Sequence, residues 1–311
     1  MNYMEKKIHV GQPEYDTHFW SAMRGNAGSY NKLEVGKVSA TGAYLMPSAS
    51  SAKCMNALGK ESLFRQIGTV VKAYGNGYKI LAKDCDDLAM WVPEGGDIPL
   101  RDGMTDFTVN ALQSWKLATF IKLDEAFVHD AAFNVEDYLV ERLARNFGEA
   151  EEQAFINGTG IEMPTGILSD AGGAKVGVTT DALTYDDVIR LYFSVKPRYR
   201  KRSVWLMNDE TALVLRTLKD ADGNYLWRQS DDTILGKKVI ISEYMPNTVA
   251  GSKPIAFGDF SYYWVVGRAP ISIRSLIEEY TLYDQIGYLA FEFLDGKLIR
   301  PEAIKVIQMT E

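Results

Sequence analysis

The sequence predicts a mixed α+β fold, on three observations. Residues 134–157 carry a long amphipathic helical pattern, and residues 105–123 alternate with period two over a length that suits long strands. The last third alternates short apolar runs with turn residues, and no βαβ repeat organises it. Helices and antiparallel strands are therefore expected to interleave.

The helix is the best-marked element. Val135, Leu139, Leu143, Phe147, Ala150 and Ala154 recur at steps of three and four and fall on one face. Asn134 is a good N-cap, and Glu136 and Asp137 place negative charge where the helix dipole favours it. At its length the helix spans roughly 33 Å. Gly158 stands where a left-handed C-terminal residue belongs, and Gly158, Gly160, Pro164 and Gly166 break the chain into a tight turn.

The remaining elements follow in order. Residues 1–50 have little apolar periodicity and read as an extended arm with one short helix near Thr17–Arg24, a composition shared by disordered tails and by arms ordered against neighbours. Residues 52–68 read as a helix with Met55, Leu58, Leu63 and Ile67 on its apolar side, interrupted by Gly59. Thr69–Tyr74 and Tyr78–Ala82 are strand-like. With the alternation that follows, they predict a long hairpin with its tip near Asp86–Arg101. A two-stranded ribbon is marginal alone in water, so this one needs a partner surface. Thr184–Lys196 reads as a capped helix stopped by Pro197, Ser203–Met207 as a strand, and Asn208 caps a helix to about Lys219. Asp220–Arg228 is a turn segment. Strands are expected at Ile234–Ser242, Pro254–Phe260, Tyr262–Val266, Ile271–Arg274, 286–294 and 298–308, with a turn at Gly296 between the last two.

Composition narrows the function. The chain has 311 residues, 46% hydrophobic and 24% charged, with net charge −7. An acidic balance argues against a main task of gripping nucleic acid through a basic face, although an acidic wall beside packed DNA would avoid adhesion. Cys54 and Cys85 have no metal-binding spacing and suit a reducing compartment; the sequence leaves their pairing open. The N-terminus lacks the apolar core of a signal peptide, and no apolar stretch is long enough to cross a membrane.

No chemistry-bearing pattern is complete. Gly158-Thr159-Gly160 and Gly75-Asn76-Gly77 lack the further glycines of a phosphate loop, and no nucleophile elbow occurs. His9, His18 and His129 are the only histidines, and His129 precedes a helix as a surface or cap residue would. Asp220–Asn224 has the carboxylate alternation of a calcium loop, but Tyr225 stands where the sharp-turn glycine belongs, so it reads as a turn. Glu149, Glu151 and Glu152 read as a solvated face, with a carboxylate-dependent hydrolase as the distant alternative. Arg198, Arg200, Lys201 and Arg202 form one basic run, expected to be a solvated or intersubunit patch. No catalytic constellation emerges. No metal or cofactor is expected, and the chain is not read as an enzyme.

The wording of several stretches adds a resemblance. Glu151-Glu152, Ala154-Phe155, Gly158-Thr159-Gly160 and Pro164-Thr165-Gly166-Ile167-Leu168 resemble the end of the long spine helix in the Hong Kong 97-type phage major capsid proteins. Phe19–Gly25 looks like the start of that family's mature arm, and Trp91–Gly95 with Phe107–Leu117 resembles its extended loop. Val204–Asn208 with Leu213–Leu218 resembles its axial domain, Gly236–Pro246 the returning strand, Phe257–Phe260 with Tyr263 its G-D-F…Y stretch, and Gly296 to Lys305 its terminal strand. The resemblance covers about residues 17–309.

It implies the Hong Kong 97-type capsid fold. Residues 1–50 would be the N-terminal arm, 51–68 and 120–180 the peripheral domain with the spine helix, and 69–119 the extended-loop hairpin. Residues 181–250 would be the axial domain and 251–311 the remaining strands. The implied function is a self-assembling shell of hexamers and pentamers around double-stranded DNA, in a virion built in a bacterial cytoplasm. Portal, scaffold, protease or decoration proteins would be partners. The implied subunit-interface residues are Trp91, Pro93, Glu94, Gly95, Arg101, Phe19, Arg24, Arg198 and Arg200. An encapsulin-type shell enclosing enzymes shares the fold and is the alternative. Two departures stand out. The sequence begins just before the mature arm, so the scaffolding segment some members carry is expected to be absent, removed or supplied as a separate protein. Lys79 or Lys83 would be the loop partner of an isopeptide crosslink, but no Asn follows Asn247, so no such crosslink is expected.

Overall fold

The computed structural model describes residues 7–33, 43–73, 78–83, 107–130, 132–227 and 232–310. The first helices are α1 (Pro13–Met23), with a proline in its opening turn, and α2 (Ala27–Lys32), whose cap Asn26 accepts the Gly28 and Ser29 amides. The short helix expected near Thr17–Arg24 is present but begins at Pro13, and a second helix follows it where an extended arm was expected. Tyr15, Phe19, Ala22 and Met23 share a helical face and are buried, a period that the surrounding Gly and Ser conceal. After β1 (Tyr44–Leu45) the expected single helix is two, α3 (Ser48–Glu61) and α4 (Leu63–Ile67). The break falls at Ser62, whose extended backbone turns Phe64 into the core, while Gly59 stays inside α3.

β2 (Thr69–Lys72) is followed by β3 (Tyr78–Lys83) and β4 (Phe107–Leu112), which pair antiparallel as a separate two-stranded ribbon. The hairpin tip expected near Asp86–Arg101 lies outside the described residues. The long alternating run divides at Gln113 and Ser114, and β5 (Trp115–Asp124) joins a larger sheet. After α5 (Glu125–His129) comes the long helix α6 (Val135–Asn157), capped by the Asn134 side chain. Its buried stripe drifts: Val135, Leu139, Leu143 and Phe147 are buried as expected, but beyond them Glu151 and Phe155 take the inner face and Ala150 and Ala154 only half of it. Gly148 allows α3 to approach closely, since a Cβ there would lie 2.8 Å from that of Glu61.

The second half holds β6 (Lys175–Thr180), α7 (Tyr185–Ser194), α8 (Pro197–Arg200), β7 (Val204–Met207) and α9 (Asp209–Thr217). It continues with β8 (Thr233–Ile234), β9 (Lys237–Ile241), β10 (Ile255–Gly258), β11 (Tyr263–Leu276), β12 (Gln285–Leu298) and β13 (Ile304–Met309). Thr184 and Asp187 form a reciprocal capping box at α7, and Pro197 opens α8 as well as ending what precedes it. The two strands expected from Tyr262 to Arg274 are one bulged strand, β11. Gly296 is no turn. It lies inside β12, where a Cβ would stand 2.6 Å from both the Phe155 ring and the Tyr263 hydroxyl.

One sheet runs β1-β11-β12-β5, with β2 also paired to β11, and the other runs β6-β13-β10-β7-β9-β8. Pairing is not antiparallel throughout: β2/β11, β6/β13 and β7/β9 are parallel, and β7-α9-β9 is a βαβ crossover inside an otherwise interleaved fold. One core lies between α1, α3, the first half of α6 and β11/β12, a second between α4, the end of α6 and both sheets, and a third under α7, α8 and α9. In the third, Trp205 packs on Phe257 at 4.1 Å between ring centroids and donates to the Ile234 carbonyl. Among the described residues no helix is long and apolar enough to cross a membrane.

Candidate functional site

The end of α6 and the turn behind it form a rigid corner. The Gly166 amide donates to the Gly158 carbonyl at 2.8 Å, Thr165 N to Gly296 O at 2.9 Å, and the Tyr263 hydroxyl to Thr165 O at 2.8 Å. Gly158 is extended rather than left-handed. Glycine is needed because a Cβ would lie 2.2 Å from the Pro164 carbonyl oxygen and 2.4 Å from that of Ala154. Gly166 approaches the Ile156 oxygen in the same way, while the left-handed residues of the turn are Gly160 at φ +79° and Glu162 at φ +56°. Lys253 secures the far side, donating to Leu168 O and to Asp170. The corner leaves Ile161 exposed at its apex.

Beneath this corner sits a buried charge cluster. Arg65 on α4 makes a two-pronged contact with Glu151 on α6, Nε to Oε2 at 2.8 Å and Nη2 to Oε1 at 2.5 Å, and reaches Glu292 on β12 at 2.7 Å. The side chains are 5%, 0% and 2% exposed. The reading of Glu151 as part of a solvated acidic face is therefore corrected: it is the partner of a buried arginine. One cation serves two carboxylates. Burial first, and then the charge of Glu151, pushes Glu292 up to about 7, and its Oε2 has no hydrogen-bond partner among the described residues. Burial alone would lower Arg65, but its hydrogen bonds and attraction to Glu151 and Glu292 prevail and raise it.

The basic run behaves differently. Lys196, Arg198 and the Tyr199 hydroxyl converge on Glu302, at 2.9, 2.5 and 2.5 Å. The Tyr199 hydrogen bond first, with Lys196 and Arg198 behind it, holds Glu302 down to about 2. Arg198 therefore has an ion-pair partner within its own protomer, and Arg200 lies over the rings of Tyr192 and Phe193. Lys201 and Arg202 remain exposed.

Of the other expected interface residues, Trp91, Pro93, Glu94, Gly95 and Arg101 lie outside the described residues. Phe19 presents no surface: it is fully buried against Tyr15 and Trp20 inside its own protomer. Arg24 is half-buried and lines a crevice with Asp16, Trp20 and His129. The three glutamates of the hydrolase alternative do not converge: Glu149 is exposed, Glu151 is held by Arg65, and Glu152 accepts the Ser242 hydroxyl. Asp220 accepts the Asp222 and Asn224 amides, as a turn residue does. Sequence reading missed the exposed apolar pair Leu282 and Tyr283, 92% and 71% accessible, at the turn between β11 and β12. Their flanking acidic residues, Glu278, Glu279 and Asp284, were the available sign.

The model of the phage capsid family matches residues 42–309. Among solved structures, the capsid of a native GTA particle is 25% identical, with 92% of this chain and 98% of that one covered at a TM-score of 0.66. The capsid of an empty GTA particle is 26% identical, covering 81% of this chain and 90% of that one at 0.65. A chain of Gordonia phage Cozz shares the fold at 15% identity, covering 80% and 87%, with a TM-score of 0.56. Comparison with curated protein sequences gives no match.

Proposed function

The chain belongs to the phage capsid family, and from that premise we propose that it is the major capsid protein of a phage-type particle, building hexamers and pentamers of an icosahedral shell from copies of itself. The observation that carries this reading is the family match over 42–309. The fold supports it: a ribbon that pairs with no other strand among the described residues stands beside a helix of 23 residues locked at its far end. Such a ribbon gains stability by lying on a neighbour, and repeated head-to-tail contacts of one chain close into rings.

The shell encloses double-stranded DNA without reading its sequence, in keeping with a net charge of −7. A portal, and separate scaffold, protease or decoration proteins, complete assembly in the host cytoplasm. The solved structures above are capsids of GTA particles and a phage chain, which does not favour the enzyme-enclosing alternative. Light scattering of the purified protein, with electron microscopy of the same sample, is the test. Pentamers, hexamers or closed shells with nuclease-protected DNA are expected, with intact monomer bands on a denaturing gel because no crosslink forms. A compact monomer at every concentration, with its ribbon and residues 1–50 resistant to protease, would sink the proposal.

A further inference from the structure

The ribbon of β3 and β4 pairs with no other described strand, so its position is set where it joins the body. On the β2 side, Ala73 N donates to Gly267 O at 2.9 Å, above a small cluster of Ala73, Leu112, Val266 and Ile299. On the β4 side the strand breaks at Gln113 and Ser114, and there a side chain does the fastening. Asp295 on β12 accepts the Gln113 amide on Oδ2 at 2.7 Å and the Gly296 amide on Oδ1 at 2.8 Å, with the Trp115 side chain as a further hydrogen-bond partner. Asp295 is 6% exposed, and the buried Ser114 hydroxyl has no partner among the described residues.

We propose that Asp295 is a latch at the root of the ribbon: releasing its bond to Gln113 frees the ribbon to swing about residues 113–114 while the sheet beneath stays intact. The use of that swing, re-seating the ribbon on a neighbouring copy, rests on the capsid reading; the latch itself does not.

Charge sets the direction in which the latch responds to pH. Lys297 is nearby on the same strand, and Glu292 lies three residues along it, paired with Arg65. Tyr263 faces Asp295 from β11, with Glu151 of α6 beyond it. Lys116 of β5 and Arg268 of β11 lie over the Phe291 and Phe293 rings of β12. Burial raises the Asp295 carboxyl to about 6, and the amide hydrogen bonds and Lys297 offset only part of that. An opened root returns the carboxyl to water, where its ordinary value is 3.8. Opening therefore releases a proton. The closed latch is strongest below the ordinary value and weakens as pH rises through about 6, by up to roughly 100-fold in the opening equilibrium.

Amide hydrogen exchange on the full-length, unassembled chain tests this, read from about pH 4 to 8 and corrected for the intrinsic rate at each pH. Gln113 protection is expected to fall about 10-fold or more across that range while amides of Ile304–Met309 keep theirs. Asp295→Asn should flatten the pH profile, and Asp295→Ala should leave Gln113 unprotected throughout. A wild-type profile flat at Gln113, an unaltered profile in Asp295→Asn, or loss of protection at Gln113 and β13 together would overturn the latch. If neither variant folds, the wild-type profile alone decides. A flat profile in a chain that still builds shells would remove the latch and leave the capsid reading standing.

Discussion

Two charged clusters in this protein both set basic side chains against glutamate and arrive at opposite electrostatics. Around Arg65, one guanidinium lies between Glu151 and Glu292 with almost no solvent access. Around Glu302, one carboxylate lies between Lys196 and Arg198, whose side chains are 55% and 41% exposed, with the Tyr199 hydroxyl as a third donor. The surplus carboxylate goes up to about 7 in the first, and the outnumbered one goes down to about 2 in the second. Burial and the ratio of donors to acceptors decide the outcome, not the count of ion pairs. The buried cluster also ties α4, α6 and β12 into one arrangement, and its strength lies in what happens when a member is lost.

The comparison is broken most severely at Arg65. Arg65→Met leaves two carboxylates buried without a cation and should cost about 3–5 kcal/mol in chemical denaturation at neutral pH. The next largest effect is at Glu292. Its folded value lies above the ordinary 4.5, so its stabilising contribution is complete below about 4.5 and is lost as pH rises through 7. Glu292→Gln should flatten that slope and be neutral or stabilising above pH 7, by up to about 2 kcal/mol. An unchanged slope would mean that Glu292 does not carry the surplus charge.

At Glu302 the sign reverses. Its contribution is present above the ordinary 4.5 and disappears as pH falls towards 2. Glu302→Gln should cost only about 1 kcal/mol at low ionic strength, and less in about 1 M salt, because solvent and ions screen the pair. The smallest effect is expected at Lys53, more than half exposed beside Glu136 and Asp137. Lys53→Ala should leave the denaturation midpoint where it was, and a shift matching that of Glu302→Gln would erase the distinction between the clusters.

Local signals made much of this fold legible. Asn134, Thr184 and Asn208 each cap a helix through the side-chain oxygen that their residue types announce. The order of motifs from Phe19 to Lys305 carried the family. Several of the misreadings come from partners distant in sequence, whereas those at Gly158 and Ser62 come from close approach and backbone breaks within a few residues. Glu151 reads as a surface acid until Arg65, 86 positions away, and Glu292, 227 positions from Arg65, are brought to it. Gly158 and Gly296 look like turn residues, yet what demands glycine at both is the close approach of other atoms. The parallel β7/β9 pair was hidden because β8 and a turn segment intervene. The Asp295 fastening had no local sign, since Gln113 and Asp295 are 182 positions apart.

The burial of α1 under β12 has a consequence for how the protein is made. Tyr288 donates its hydroxyl to the Met23 carbonyl across 265 positions, and Tyr30 meets Ser275 across 245. A ribosome needs roughly 10–50 s to cover that distance. Throughout that interval the apolar face of α1 can meet α3 and later α6, but the β11/β12 part of its cover does not yet exist. Many nascent chains on one message would expose the same face side by side. Rapid synthesis thus confronts the cell with a queue of unfinished hydrophobic surfaces, and the rate of translation sets how long each stays open.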